Sequence, residues 1–157
     1  MADGQRLSFD QVVFATHSDQ ALALLEEPSV LETEILSAIP YQTNDVVLHT
    51  DIRMLPRKTK TWSSWNYTLG ERENRAIVTY NMNILQGIQA PETFCVTLNN
   101  TAAINPHKII GRFEYDHPVF SLEGCAAQQR WDQINGLAST WYCGAYWQNG
   151  FHEDGVV

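Results

Sequence analysis

The run with the most potential chemistry is Trp141-Tyr142-Cys143-Gly144-Ala145-Tyr146-Trp147-Gln148-Asn149-Gly150-Phe151-His152-Glu153-Asp154-Gly155. Its aromatic opening reads as a buried strand, Gly144 as a hinge, Asn149-Gly150 as a turn and Glu153-Asp154 as the acidic first turn of a helix. A strand that passes through glycines into a helix start lets backbone approach a ligand and aims free N–H groups at it. That arrangement suits anionic or electron-rich ligands. The plainer alternative is a strand–turn–helix corner whose acidic residues complement the helix dipole.

Other candidates are weaker. His152-Glu153-Asp154 is not a metal cluster, because successive helical residues point about 100° apart. His17, His49, His107 and His117 show no i, i+4 pairing, and there is no Cys-x-x-Cys. Cys95, Cys125 and Cys143 are odd in number and lie among apolar neighbours, so they read as inert free thiols of a reducing, cytoplasmic setting. No Gly-x-Ser-x-Gly or Ser/His/Asp arrangement is present, so no catalytic residue is assigned. Trp62, Trp65, Asn66, Tyr80, Asn81 and Asn83 suggest a sheet face mixing aromatic and amide groups, although aromatics in strands more often serve packing.

The elements that must position these groups follow from periodicity. Val12, Val13 and Phe14 mark a buried strand within Phe9–Ala15, preceded by an Asp3-Gly4 hairpin signal with no strand before it. Helices are expected over 18–27, capped by Ser18, over 29–39, opened by a Ser29/Glu32 capping box, and over 122–135, stopped by Gly136. Between them the period becomes two. Segments 44–54, 61–68, 76–85, 93–98 and 109–115 read as mainly antiparallel strands of one sheet with an apolar face to bury, including Val78, Tyr80, Met82 and Ile84. The fold class is therefore α+β. Three stretches divide the chain: 1–27, 28–120 carrying the sheet, and 121–157.

Composition limits the function. Hydrophobic content of 44% and aromatic content of 11% fit a globular protein. A net charge of −8 argues against nucleic acid, whose phosphates need clustered cations. No apolar run approaches membrane-spanning length, and residues 1–6 are not followed by the hydrophobic region of a signal peptide.

The 143–155 run resembles the C-terminal flavin-binding signature of the amine-oxidase-like FAD-dependent oxidoreductases, in the bacterial branch described as predicted NAD/FAD-binding proteins. Phe9-Asp10-Gln11-Val12-Val13-Phe14-Ala15-Thr16-His17 through Leu25 is similar to the family's strand, Ala-Thr turn and helix that return the chain to the FAD domain. Tyr115-Asp116-His117-Pro118-Val119-Phe120 sits in similar company.

The resemblance implies that segments 1–27 and 121–157 are remnants of a Rossmann-like FAD-binding domain and that 28–120 is a substrate domain. It implies cofactor contacts from Thr16, His17, Gly144, Ala145, Gly150, Phe151, His152, Glu153 and Asp154. Ala145 departs from relatives that carry an Asp there for the ribityl chain, so Glu153 or Asp154 would have to supply that contact. The substrate side would be Trp62, Trp65, Asn66, Tyr80 and Asn81, and the chemistry two-electron transfer from a small-molecule substrate to flavin.

The Gly-x-Gly-x-x-Gly turn that binds pyrophosphate is absent. The chain thus reads as a fragment, inactive by itself, with weak or absent FAD binding and self-association through exposed sheet surface. The alternative reading is a non-catalytic β-rich module binding its ligand on the Trp62–Asn83 face.

Overall fold

The computed structural model describes residues 6–69, 76–151 and 153–156. The Asp3-Gly4 turn, most of the 69–75 loop and His152 lie outside the described residues. Two compact units emerge: residues 1–42 with 118–157, and residues 43–117.

In the first unit, strand β1 (Val12–Phe14) pairs in parallel with β7 (Thr140–Tyr142), in the register Val12↔Thr140, Val13↔Trp141 and Phe14↔Tyr142. Segments Phe9–Ala15 and Trp141–Cys143, which the resemblance assigns to one domain and so makes neighbouring strands, do pair, and the Cys143 N–H extends the pairing by donating to the Phe14 carbonyl at 3.0 Å. Helices α1 (Ser18–Leu24), α2 (Val30–Ser37) and α4 (Leu122–Gln128) supply the core. Ala21, Ile35, Leu36, Ala127, Ile134 and Tyr142 are buried together, and the Phe14 and Tyr142 rings stack at 5.6 Å. Helix α2, read from sequence with the sheet segment, packs against α1 and α4 here.

The Ser29/Glu32 capping box forms as expected, with the Ser29 N–H donating to Glu32 Oε2 at 2.7 Å and the Glu32 N–H to Ser29 Oγ at 3.2 Å. Two helix readings are corrected. Ser18 is the first helical residue and His17 the cap. The last helix ends at Gln128 rather than Asn135, and its continuation is a 3-10 turn at Trp131–Gln133.

The second unit holds the expected antiparallel sheet, in the order β3-β4-β5-β2-β6. Its strands are β2 (Tyr41–His49), β3 (Trp65–Thr68), β4 (Ile77–Asn81), β5 (Cys95–Leu98) and β6 (Ile109–Pro118), of which Tyr41, Gln42 and Pro118 belong to the first unit. Strand β4 stops at Asn81, where its side chain accepts the Ile84 N–H at 3.2 Å and caps the short helix α3 (Met82–Gln86). Met82 and Ile84 are therefore helical, not strand residues. Likewise 52–54 forms a 3-10 turn capped by Asp51, not the end of a strand.

The larger correction concerns which face turns inward. Thr79, Asn81, Thr97, His49 and Cys95, with Val47, are essentially inaccessible, whereas Val78 and Tyr80 are only half-buried. Register aligns them, with Val47↔Thr97, His49↔Cys95, Thr79↔Thr97 and Asn81↔Cys95. Burial is tolerated because the polar groups satisfy one another. The Asp51 N–H donates to His49 Nδ1 at 3.0 Å, which fixes the tautomer, so Nε2–H donates to Thr97 Oγ1 at 2.7 Å. Thr97 Oγ1 in turn lies 2.9 Å from Thr79 Oγ1. The buried Asp51 carboxylate accepts from Arg53 Nε at 2.9 Å and from the Asn105 N–H at 2.8 Å. Arg53 holds Asp51 far below the usual carboxylate range, against the opposing effect of burial.

Burial lowers the His49 pKa, and the nearby Asp51 charge opposes that only in part. The unfolded chain therefore takes up a proton near the ordinary histidine value of about 6.5, before the folded chain does. Stability from this site is full above that pH and declines as pH falls toward the lower folded value, by at most ~1.4 kcal/mol per pH unit. Urea unfolding between pH 7.5 and 5.5 is expected to show this slope, and His49→Gln is expected to flatten it. Equal slopes for the two proteins would contradict the assignment.

Candidate functional site

Residues Thr16 and Gly144 lie just beyond the aligned C-terminal ends of β1 and β7, at the same edge of the parallel pair. At that edge the first unit contains a cavity of about 530 Å³. Its walls join Trp131, Trp141 and Trp147 with the polar Gln128, Asn135, Gln148 and Asp154, and Val13, Tyr142, Cys143 and Gly144 line it as well, whereas Thr16 does not. Trp131 and Trp141 are held by their indole N–H groups, which donate to the Tyr142 carbonyl at 3.2 Å and to Gln11 Oε1 at 2.6 Å.

Local chain reversals bring the tryptophans together. Gly136 adopts φ +84°, its N–H donates to the Thr140 carbonyl at 2.8 Å, and the Trp141 ring lies over the space a Cβ would fill. Ala138 and Ser139 follow with φ of 48° and 61°, a left-handed turn that non-glycine residues adopt at a cost. Gly144 then adopts φ +156°, and a Cβ there would sit 2.4 Å from the Tyr146 ring. The hinge role read for Gly144 thus has a steric cause.

Below β7, the Tyr142 hydroxyl donates to Glu32 Oε1 at 2.6 Å and ties the strand to the capping box of α2. Burial raises the Tyr142 pKa and the bond to Glu32 adds to it. Burial would raise the Glu32 pKa, but hydrogen bonds from Tyr142 and Ser29 outweigh it and hold the carboxyl below its ordinary value.

The 144–155 segment departs from expectation. Ala145 opens a 3-10 turn, Ala145–Trp147, and a second single turn, Glu153–Gly155, stands where a helix start was expected. The Asp154 carboxylate accepts the N–H groups of Asn149 at 3.1 Å and Phe151 at 2.9 Å, the Gly150 N–H donates to the Ala145 carbonyl, and the Asp154 N–H to the Phe151 carbonyl. Of the N–H groups of residues 152–154 expected to face a ligand, that of Asp154 is used in the segment's own turn. Glu153 is exposed, as is Phe151, and His152 lies outside the described residues.

His17 stacks on Tyr41 at 4.6 Å, and the Ser18 N–H donates to the Tyr41 hydroxyl at 2.9 Å. The Thr16 hydroxyl donates to the His17 carbonyl at 3.2 Å. His17 Nδ1, Ser18 Oγ, the Tyr146 hydroxyl and Trp147 Nε1 are buried without a partner of good hydrogen-bond geometry.

The residues read as a substrate face are divided in the second unit. Trp65 and Tyr80 stand opposite each other on β3 and β4. Asn66 instead donates to the carbonyls of Ser63 and Thr79 at 3.0 and 3.1 Å, and Asn81 caps α3 on the buried face. Trp62 precedes the strand and donates to the Pro56 carbonyl at 2.8 Å. Of the cysteines, burial pushes the Cys95 thiol up to about 11, as expected for an inert thiol, but Cys125 is exposed. Among the described residues no cluster suits a metal ion, and no helix is long and apolar enough to cross a membrane.

No protein-family model matches the chain, and no curated protein matches it.

Trp131, Trp141 and Trp147 were missed as a group in the sequence because they lie in three separate elements, the Trp131–Gln133 turn, β7 and the Ala145–Trp147 turn, which no single period relates. The Gly144 geometry leads to a direct expectation. Gly144→Ala combines a forbidden backbone conformation with a clash against a buried ring, and is expected to destabilise the first unit by roughly 2–4 kcal/mol. Ala145→Gly should cost less than about 1 kcal/mol. Thermal unfolding of both variants distinguishes a hinge at 144 from a general sensitivity of the turn.

Proposed function

We propose that this chain is the flavin-facing portion of an FAD-dependent, amine-oxidase-like oxidoreductase, with the ring end of the cofactor at the tryptophan-lined cavity of the first unit. The observation that carries the reading is the parallel β1–β7 pair, from which Val13 and Trp141, with Cys143 and Gly144 just beyond β7, line that cavity. Ligands in open α/β sheets bind at the C-terminal edge of the strands. Parallel strands are ordinarily covered on both faces, yet Val13 is 60% exposed and Trp141 41% exposed, on the face away from the helical core. That uncovered face supports the view that further structure belongs against it.

The residues fit one end of FAD only. Indole walls and a close glycine backbone suit a planar, apolar ring system. The pyrophosphate end has no counterpart. In the first unit the sequence offers Arg6 and Arg130, which pair with Glu26 and Glu34 at 3.8 and 3.1 Å, and there is no Gly-x-Gly-x-x-Gly turn. A bound flavin would supply two-electron acceptance from a substrate carbon. The protein's own contribution is to hold apolar walls around the ring, exclude water and keep the 149–155 turn closed through Asp154. The β-rich binding-module reading has less support, because Asn66 and Asn81 are engaged within the sheet and leave only Trp65 and Tyr80 on a common face.

Riboflavin and FAD are expected to bind this chain with dissociation constants within about threefold of each other, both weak, in or above the ten-micromolar range. The reason is that charge-assisted phosphate contacts, each worth roughly 1.5–3 kcal/mol, are missing. Quenching of tryptophan fluorescence follows binding directly, and ADP should not compete. No quenching by millimolar riboflavin would refute the ring site. FAD binding more than about tenfold tighter than riboflavin would refute the division of labour.

A further inference from the structure

Among the described residues, strand β6 has a neighbour in the sheet on one side only. The sheet order leaves β3 and β6 at its two sides. β3 is only four residues long, which limits what can pair with it, whereas β6 runs for ten. Natural edge strands are shielded by shortness, Pro, bulges or charge, Lys above all, and the charges that β6 carries, Arg112, Glu114 and Asp116, are of both signs. From Ile110 to His117 there is neither Pro nor Lys, and Ile110, Phe113 and Tyr115 are 55%, 44% and 53% exposed.

The side chains on this edge have a self-complementary order. Arg112 and Glu114 share one face, and neither forms an ion pair among the described residues. On the other face the Phe113 and Tyr115 rings stack at 5.9 Å with an interplanar angle of 8°, and Phe113 closes over Gly111.

We propose that β6 pairs antiparallel with β6 of a second copy of this chain, about a two-fold axis through Phe113. In that register each Arg112 lies directly opposite Glu114 of the other copy, giving two opposite-charge pairs and no like-charge pair. The other face places Phe113 against Phe113, and sets Tyr115 beside Gly111, over which Phe113 of the same copy already closes. Neighbouring registers lack this match: an axis at Glu114 opposes two glutamates, and one at Arg112 opposes two arginines. The result is a continuous sheet through both copies, an isologous interface as two-fold symmetry demands. The pairing is independent of the flavin reading, since it uses the second unit alone.

The test is light scattering coupled to size exclusion on the full chain at about 50 µM, a concentration at which micromolar pairing fills the dimer. A dimer is expected. By symmetry each single reversal, Arg112→Glu or Glu114→Arg, converts both attractive pairs to repulsive ones, and should weaken dimerisation about tenfold or more. The double swap R112E/E114R should return it to within about threefold of the starting value. Phe113→Cys in a Cys125→Ser background should form an intermolecular disulfide, because directly opposed residues lie about 4.5–5.5 Å apart. Circular dichroism confirms that each variant is folded. A wild-type monomer, a dimer indifferent to the reversals, or a swap that fails to restore pairing would each overturn the proposal.

Discussion

The parallel register of Val12–Phe14 with Thr140–Tyr142 is the constraint on which the first unit depends. It joins segments far apart in the chain, so the loop-closure entropy between them must be met by contacts that only form together. Those contacts are specific. Phe14 stacks on Tyr142, the Tyr142 hydroxyl bonds Glu32, and Glu32 completes the capping box of α2. One carboxylate thereby links a strand, a helix start and the buried core. The lowered pKa of Glu32 reflects those bonds: its charged form is the one the structure holds. The cavity beside Gly144 exists because this pairing brings the two chain segments to one edge.

The second unit solves a different problem. Its sheet hides a row of polar side chains, which is stable only because each finds a partner across the strands. Asp51 is central, because its backbone N–H sets the His49 tautomer while its carboxylate gathers Arg53 and the Asn105 amide. A slip by one residue would turn the other face inward, as in any half-buried sheet, and here it would also leave buried donors and acceptors unmatched. This polar interior therefore specifies the sheet's alignment as much as it stabilises it.

The same two kinds of constraint shape the candidate chemistry. The cavity sets three indole rings among Gln128, Asn135, Gln148 and Asp154, while the Asn149 and Phe151 N–H groups are committed to the Asp154 turn. On the flavin proposal, the indoles would stack on the ring, whereas the arginines of the first unit, each paired with a glutamate, leave little for a phosphate group.

Element types were legible in the sequence where local physics decides them. The Ser29/Glu32 box, the period-two segments and the glycine hinge at 144 follow from spacing, capping chemistry and the apolar strand pattern, as does the α+β class, whereas the meeting of β1 and β7 was expected from the resemblance alone. Strand ends and inward faces were not legible, because they depend on partners. Asn81 turns β4 into a helix start by capping Ile84, and Thr79 and Thr97 face inward because His49 is there to meet them. Hydropathy ranks those residues as surface-seeking, and nothing local reveals the hydrogen bonds that reverse the ranking. Likewise, the tryptophans at 131, 141 and 147 share a wall only because left-handed turns at Gly136–Ser139 and the bend at Gly144 fold their segments back. Spacing and capping residues alone gave away the helices opening at 18 and 29 and the period-two segments of the sheet, because those signals are local. The tertiary structure decided which faces are buried and which side chains meet, because burial of a polar group is settled by its partner rather than by its own chemistry.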